Sequence, residues 1–279
     1  MRAALTVAGD LLREASSRRW FLALGIGVTM ALVVIGGALQ LEVVDGALAA
    51  TRFFGQDVSR GQIRSVDVAL RYVGRALSYM LFYGGLAFGI VSCADFGPSL
   101  LAPGRIEHLL SLPVRRFELL LGTFLGVLAL SLLSTLYGAA GITLIFGVRA
   151  GVWMASPIVA ALLASVTFAG IYGAMLTAAV MVRSAALSAA VGIALFFLGI
   201  VAGYREQLES FFEPGLARGA FLAATLVLPR VSALADASAD IAVAAAIKGD
   251  VLASQVAGLL VFGLAALALG IYVFEEKDF

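Results

Sequence analysis

His108 is the only histidine and Cys93 the only cysteine in the chain. A metal site or a histidine-based catalyst needs carboxylates or thiolates at ligand spacing, and Glu107, next to His108, points elsewhere on a helix. His108 is therefore read as a surface or partner-contact residue. One cysteine excludes an intrachain disulfide and a thiolate metal cluster. The chain has no H-E-x-x-H, no G-x-S-x-G and no intramembrane Asp pair, which disfavours an intramembrane protease or lipid hydrolase. It has no G-x-x-x-x-G-K-[ST] phosphate loop either, so ATP hydrolysis would have to come from another polypeptide.

Polar chemistry is dense in one stretch, residues 104–126, which reads GRIEHLLSLPVRRFELLLGTFLG. Pro103 suits a first helical position, where its missing N–H costs nothing, and Ile106, Leu109 and Leu110 then share one face. Arg105, Glu107, His108 and Ser111 face the other way. Pro113 pushes Leu112 out of the α region and ends this helix; it also starts the next, which carries Arg115, Arg116 and Glu118 before an uncharged run. The pattern predicts a charged elbow at a membrane surface.

The elements that must position this elbow are membrane spans. Hydrophobic residues make up 62% of the chain and charged ones 13%, with a mean hydropathy of +1.03; soluble domains average about 45–50% and 25%. Uncharged runs over 20–41, 76–94, 119–148, 150–182, 184–204 and 251–274 are each long enough to cross about 30 Å of hydrocarbon. Gly147, Gly151 and Trp153 mark a tight turn between the third and fourth, and Arg183 alone separates the fourth from the fifth. Six spans put both termini on one side. With that side cytoplasmic, 9 of the 19 Lys and Arg fall in the shorter share of the loop residues, which favours this orientation.

Residues 1–19 place Leu5, Ala8, Leu12 and Ala15 on one face and suit an interfacial helix. Residues 42–75 read as a partly helical outer loop in which Val66, Ala69, Leu70 and Val73 repeat at helical spacing. Within 205–250, the apolar pieces 219–229 and 241–247 are too short to cross, and Asp236 and Asp240 are expected to keep the turn between them in water. Residues 219–247 are thus expected to form a re-entrant outer hairpin. Small pairs at Gly85/Gly89, Gly122/Gly126 and Gly199/Gly203 suit close helix packing, within one subunit or between two. The spans carry Tyr79, Tyr83, Tyr137 and Tyr172 but no Asp, Glu, His or Arg near their midpoints. That argues against a proton- or ion-coupled carrier and for an external energy source. The six scattered methionines offer no copper path, and a net charge of +1 implies no nucleic-acid partner.

Gly104, Glu107, Leu109, Leu110, Pro113, Arg116, Leu120, Leu121 and Gly122 together resemble the coupling segment of six-helix ABC export permeases, the type V exporter family. Two positions depart from that pattern: Pro98 and Ser99 stand where such proteins often carry a Glu, and Thr123 where they often carry a Lys. The resemblance implies an all-α polytopic membrane protein with a single permease domain over 1–279. It implies six transmembrane helices, an N-terminal interfacial helix and a cytoplasmic coupling helix. Partners would be a separate ABC ATPase subunit, which holds ATP and Mg, a second copy or a paralogous permease, and membrane lipid. This chain would carry no cofactor and no catalytic residue. Gly104, Arg105, Glu107, His108, Pro113, Arg115 and Arg116 would face the ATPase, and both termini would be cytoplasmic at the plasma (inner) membrane. Residues 275–279, Glu-Glu-Lys-Asp-Phe, resemble the charged cytoplasmic end of such permeases. The alternative from another class is a structural membrane subunit of a larger complex with no transport of its own.

Overall fold

The computed structural model describes residues 2–44, 47–53, 56–57, 64–111, 113–151, 153–213, 215–243, 245 and 249–277. Its helices are α1 (Arg2–Ser17), α2 (Arg19–Ala38), α3 (Val66–Cys93), α4 (Phe96–Leu100), α5 (Arg105–Ser111), α6 (Arg116–Ala150), α7 (Ser156–Val182), α8 (Ala185–Gly203), α9 (Arg205–Glu209), α10 (Leu216–Val227), α11 (Val231–Ala242) and α12 (Gly249–Glu276). Among the described residues the prolines fall outside the interiors of the long helices. Pro157 sits in the first turn of α7, where no N–H is needed, and Pro229 separates α10 from α11.

Five segments are long and apolar enough to cross a membrane: Arg71–Leu100, Arg116–Arg149, Ser156–Val182, Ala185–Gly203 and Gly249–Glu276. They match five of the six expected runs, and the chain is a multi-pass membrane protein. The fourth starts at Ser156 rather than at 150, because Gly151 takes a left-handed conformation (φ +68°) that closes α6. Over the first expected run α2 has 20 residues, about 30 Å by helical rise, and its described apolar stretch is Gly25–Gly37.

The segment after α2 differs from its expected form. Backbone pairing makes β1 (Leu39–Val44), β2 (Ala47–Phe53), β3 (Gln56–Asp57) and β4 (Arg64–Ser65). β1, β3 and β4 each run antiparallel to β2, with a register shift in β1 between Glu42 and Val43. The small sheet is an addition to the all-α expectation. Its signal is the period-2 alternation Leu39-Gln40-Leu41-Glu42-Val43, which charged residues further along the loop obscure. The expected helical second half does form, as the start of α3.

α7 is the buried centre of the bundle, with Phe168, Ile171, Tyr172, Met175 and Leu176 inside. α12 crosses it where Gly170 and Gly173 meet Gly263, a contact so close that a Cβ on either side would strike backbone. Thr177 Oγ1 adds a hydrogen bond to the Ala266 carbonyl at 2.6 Å. All three small pairs are used within the chain. Gly85 and Gly89 face Thr135 and Phe168, Gly122 and Gly126 face α1, and Gly199 and Gly203 face Val231 and Ser232.

At the end of the bundle remote from α1, α11 follows the first half of α3 in the opposite direction. Tyr79 donates to Asp236 at 2.7 Å, Arg75 pairs with Asp240 at 3.6 Å and Arg71 donates to the Val243 carbonyl at 3.4 Å, one turn against one turn. α10 meets α11 at 64° across Pro229. The second short helix is therefore Val231–Ala242 rather than the apolar run 241–247, of which residues 244, 246 and 247 lie outside the described ones. Val231, Leu234, Ala235, Ser238 and Ala239 supply its buried face, and the aspartates that interrupt the apolar pattern sit on its other side. Asp236 is half-buried and accepts from Tyr79 of α3, while Asp240 pairs with Arg75 with its side chain still 41% exposed.

Candidate functional site

The elbow forms as a three-part contact at the other end of the bundle. α1 lies along α6, and this is possible only because Gly122 and Gly126 lack side chains. A Cβ on Gly122 would come within 2.6 Å of Val7 and 2.7 Å of the Ala4 carbonyl, and one on Gly126 within 3.1 Å of Ala8. Close approach also sets which face of α1 is buried. Ala4, Ala8, Leu11 and Ala15 are inside, whereas Leu5 is 61% exposed. The expected face was therefore rotated: hydrophobicity favours leucine there, but the narrow gap over two glycines admits alanine.

α4 continues from α3 and lies on α7, Gly97 against Ala179 and Leu176. Gly104 then turns the chain at φ +80°, a conformation that glycine adopts without steric cost. α5 starts at Arg105, so Pro103 belongs to the turn and not to the helix. Ile106 is buried and Leu109 half-buried, as the helical spacing requires, while Glu107, His108 and Ser111 are exposed. Leu112 and the side chain of Leu110 lie outside the described residues. Pro113 and Arg115 are exposed, and the Arg115 N–H reaches the Glu118 carboxylate at 3.4 Å at the head of α6.

A charged knot ties α1 to α4 and α5. Glu14 accepts from both terminal nitrogens of Arg105, at 3.0 and 2.5 Å, and from Arg18 at 2.6 Å. Arg18 also donates to Asp95 at 2.8 Å and to Ser99 at 3.3 Å, and its guanidinium lies 4.7 Å over the Phe96 ring. The hydrogen bonds from Arg105, and then those from Arg18, outweigh the burial that opposes ionisation and hold the Glu14 carboxyl down at about 2. Burial works against the charge of Arg18 too, but its bonds to Glu14 and Asp95 prevail and raise its pKa.

A second set of contacts laces the same end. Arg116 donates to the carbonyls of Glu275 at 3.0 Å and Lys277 at 2.8 Å. Lys277 Nζ donates in turn to the Val180 and Met181 carbonyls at 2.8 and 3.0 Å, which satisfies the C-terminal end of α7. Beside these contacts lies an open hollow of about 660 Å³ lined by Val114, Arg115, Arg116, Phe117 and Glu275.

The seven expected contact residues thus divide by position. Arg105 and Arg116 turn inward to partners in their own chain. Gly104, Glu107, His108, Pro113 and Arg115 remain on the open face. Glu14, Arg18, Phe96, Asp95, Ser99 and Lys277 were not among the expected set. The i, i+4 spacing of Glu14 and Arg18 was a readable signal, whereas Asp95 lies 77 residues from Arg18 and nothing local announces the pair. Among the described residues no three of His, Cys, Asp and Glu come together as metal ligands. The arrangement is a polar surface tied together by ion pairs and hydrogen bonds. No family model matches the chain, and the curated proteins give no match to it either.

Proposed function

We propose that this chain is the transmembrane permease subunit of an ATP-driven exporter of the ABC type, coupled to a separate ATPase subunit. The observation that carries the reading is the division of labour on α5. Its apolar residue Ile106 and its Arg105 are fixed to the bundle and to α1, so that Glu107, His108 and Ser111 project from a helix that cannot swing independently. A force applied to that face by a partner passes through Arg105 to α1 and along α6 rather than being lost in a mobile loop. The resemblance of the 104–126 segment to export permeases agrees with this mechanical role.

In this reading α2 is the first of six spans, the elbow end is cytoplasmic at the plasma membrane, and two permease copies form the pathway. α10 and α11 form a re-entrant gate at the outer end, held to α3 by Asp236 and Asp240. ATP and Mg belong to the partner. Docking rests on Gly104, Glu107, His108, Pro113 and Arg115, and Arg105 and Arg116 position those residues from behind.

The test is to purify the tagged chain from its native membrane in mild detergent and assay ATPase activity and the chains that come with it. A P-loop ATPase should co-purify, and Glu107→Lys should weaken its retention about tenfold, since close charge contacts across interfaces are worth about 1.5 kcal/mol or more. Hydrolysis by the chain alone, or retention untouched by Glu107→Lys together with Arg115→Glu, would overturn the proposal.

A further inference from the structure

The break between α10 and α11 walls a small cavity of about 200 Å³, closed on its other side by Ser254, Gln255, Gly258 and Leu259 of α12. Arg230, at the head of α11, reaches this cavity half-buried. It forms no ion pair among the described residues, and the nearest charges acting on it are Arg205 and Glu206 of α9, one of each sign. Gln255 is half-buried as well, and its amide has no partner among the described residues. A half-buried guanidinium between apolar helices without a bonded carboxylate is costly, and its five donors, with the amide of Gln255, suit an oxyanion, the Ser254 hydroxyl being committed to the Val251 carbonyl.

We propose that this cavity binds the phosphate of an anionic phospholipid, with Arg230 as the principal ligand and Arg205 adding to the positive potential. The apolar surroundings identify the source of the phosphate. Leu226 and Val227 on the cavity wall are 70% and 68% exposed, and Val251, Leu260 and Val261 continue the exposed apolar surface on α12. That track belongs to a membrane-spanning helix and lies among acyl chains, so a lipid whose headgroup sits at Arg230 reaches the cavity without leaving the bilayer. A bound lipid would also bridge the α10–α11 break to α12. The site stands on the membrane character of the chain alone and does not depend on the export reading.

The experiment is native mass spectrometry of the detergent-purified chain, with phosphatidylglycerol, phosphatidylcholine or inorganic phosphate added separately. Wild-type protein should retain one phosphatidylglycerol per chain in preference to phosphatidylcholine, and millimolar inorganic phosphate should not displace it. Arg230→Gln should weaken retention about fivefold, the effect of one basic residue on an anionic headgroup. Arg205→Gln, which leaves α11 untouched, should give a smaller loss and keeps the proposal testable if Arg230→Gln does not fold. Arg13→Gln, on the exposed face of α1, removes an equal charge and should change nothing. Equal retention by wild type and both cavity variants, or equal retention of phosphatidylcholine, overturns the site. Displacement of the lipid by inorganic phosphate assigns it to a free anion and overturns the lipid.

Discussion

The two ends of the bundle are fastened by similar residues in different ways. At the elbow one carboxylate, Glu14, is shared by two guanidiniums, Arg18 is held by four partners, and their side chains are 27% and 18% exposed. At the far end Asp240 meets Arg75 at 3.6 Å with both partners more than 40% exposed, and Asp236 accepts a neutral phenol. The Glu14–Arg18 core of the knot resists separation because breaking it strands a charge mostly shielded from water, while Arg105, 41% exposed, and the exposed single pair at the far end separate into water at less cost. The elbow is the firmer fastening and the far end the looser one.

The largest expected effect breaks the elbow by packing. Gly122→Leu puts a side chain where Val7 and the Ala4 carbonyl already lie, and overpacking of this kind costs about 3 kcal/mol. α1 should lift from α6, seen as a lower Tm in detergent and as protease cleavage within residues 2–17. Unchanged melting and an uncut N-terminal helix would show that α1 is not held by this contact.

Next in size is the knot itself. Glu14→Gln leaves two guanidiniums facing an amide and should cost about 1.5 kcal/mol, a value at the low end for charged hydrogen bonds because the site is partly solvated. The wild-type carboxyl is lowered from 4.5 to about 2, so its stabilisation is complete above pH 4.5 and is lost as pH falls through about 2. Wild type should therefore lose Tm between those limits faster than the Gln variant does. Parallel curves would remove Glu14 from the account.

The smallest effect sharpens the contrast from the far side. Tyr79→Phe deletes the bond to Asp236 and should cost about 0.6 kcal/mol, the average for a side-chain hydrogen bond between membrane helices. A loss larger than that of Glu14→Gln would invert the comparison, with the far end as the firmer one.

Much of the architecture was legible because lipid imposes a single rule on every span. Charge-free runs located α6, α8 and α12 within three residues, whereas α3 begins ten residues before its run and α7 six residues after the start of its own, and turn residues such as Gly151 and Arg183 marked where helices stop. What escaped depended on what each surface meets. Leu5 was placed inside α1 because it is the more hydrophobic residue, but the Gly122–Gly126 gap selected Ala4 in its place and kept the expected Ala8. α11 was missed because Asp236 and Asp240 break its apolar run, although Val231, Leu234, Ala235, Ser238 and Ala239 keep helical spacing. Arg105 and Arg116 were assigned to a partner contact, yet each bonds within its own chain, and a sequence does not show which of the two a charge faces.

The bond from Lys277 to the end of α7 has a consequence for how the protein is made. The carbonyls of Val180 and Met181 receive their donor from a residue 97 and 96 positions later in the chain. On the ribosome α7 is therefore inserted and left with open carbonyls while α8, α9, α10, α11 and α12 are still being synthesised. Synthesis at about 5–20 residues per second leaves this helix end waiting for several seconds at least. During that interval water or lipid headgroups must serve it, and the arrival of Lys277 releases them. The same stitch brings α12 to α7 and, through Arg116, to α6, so three helix ends lock together only once Lys277 has emerged.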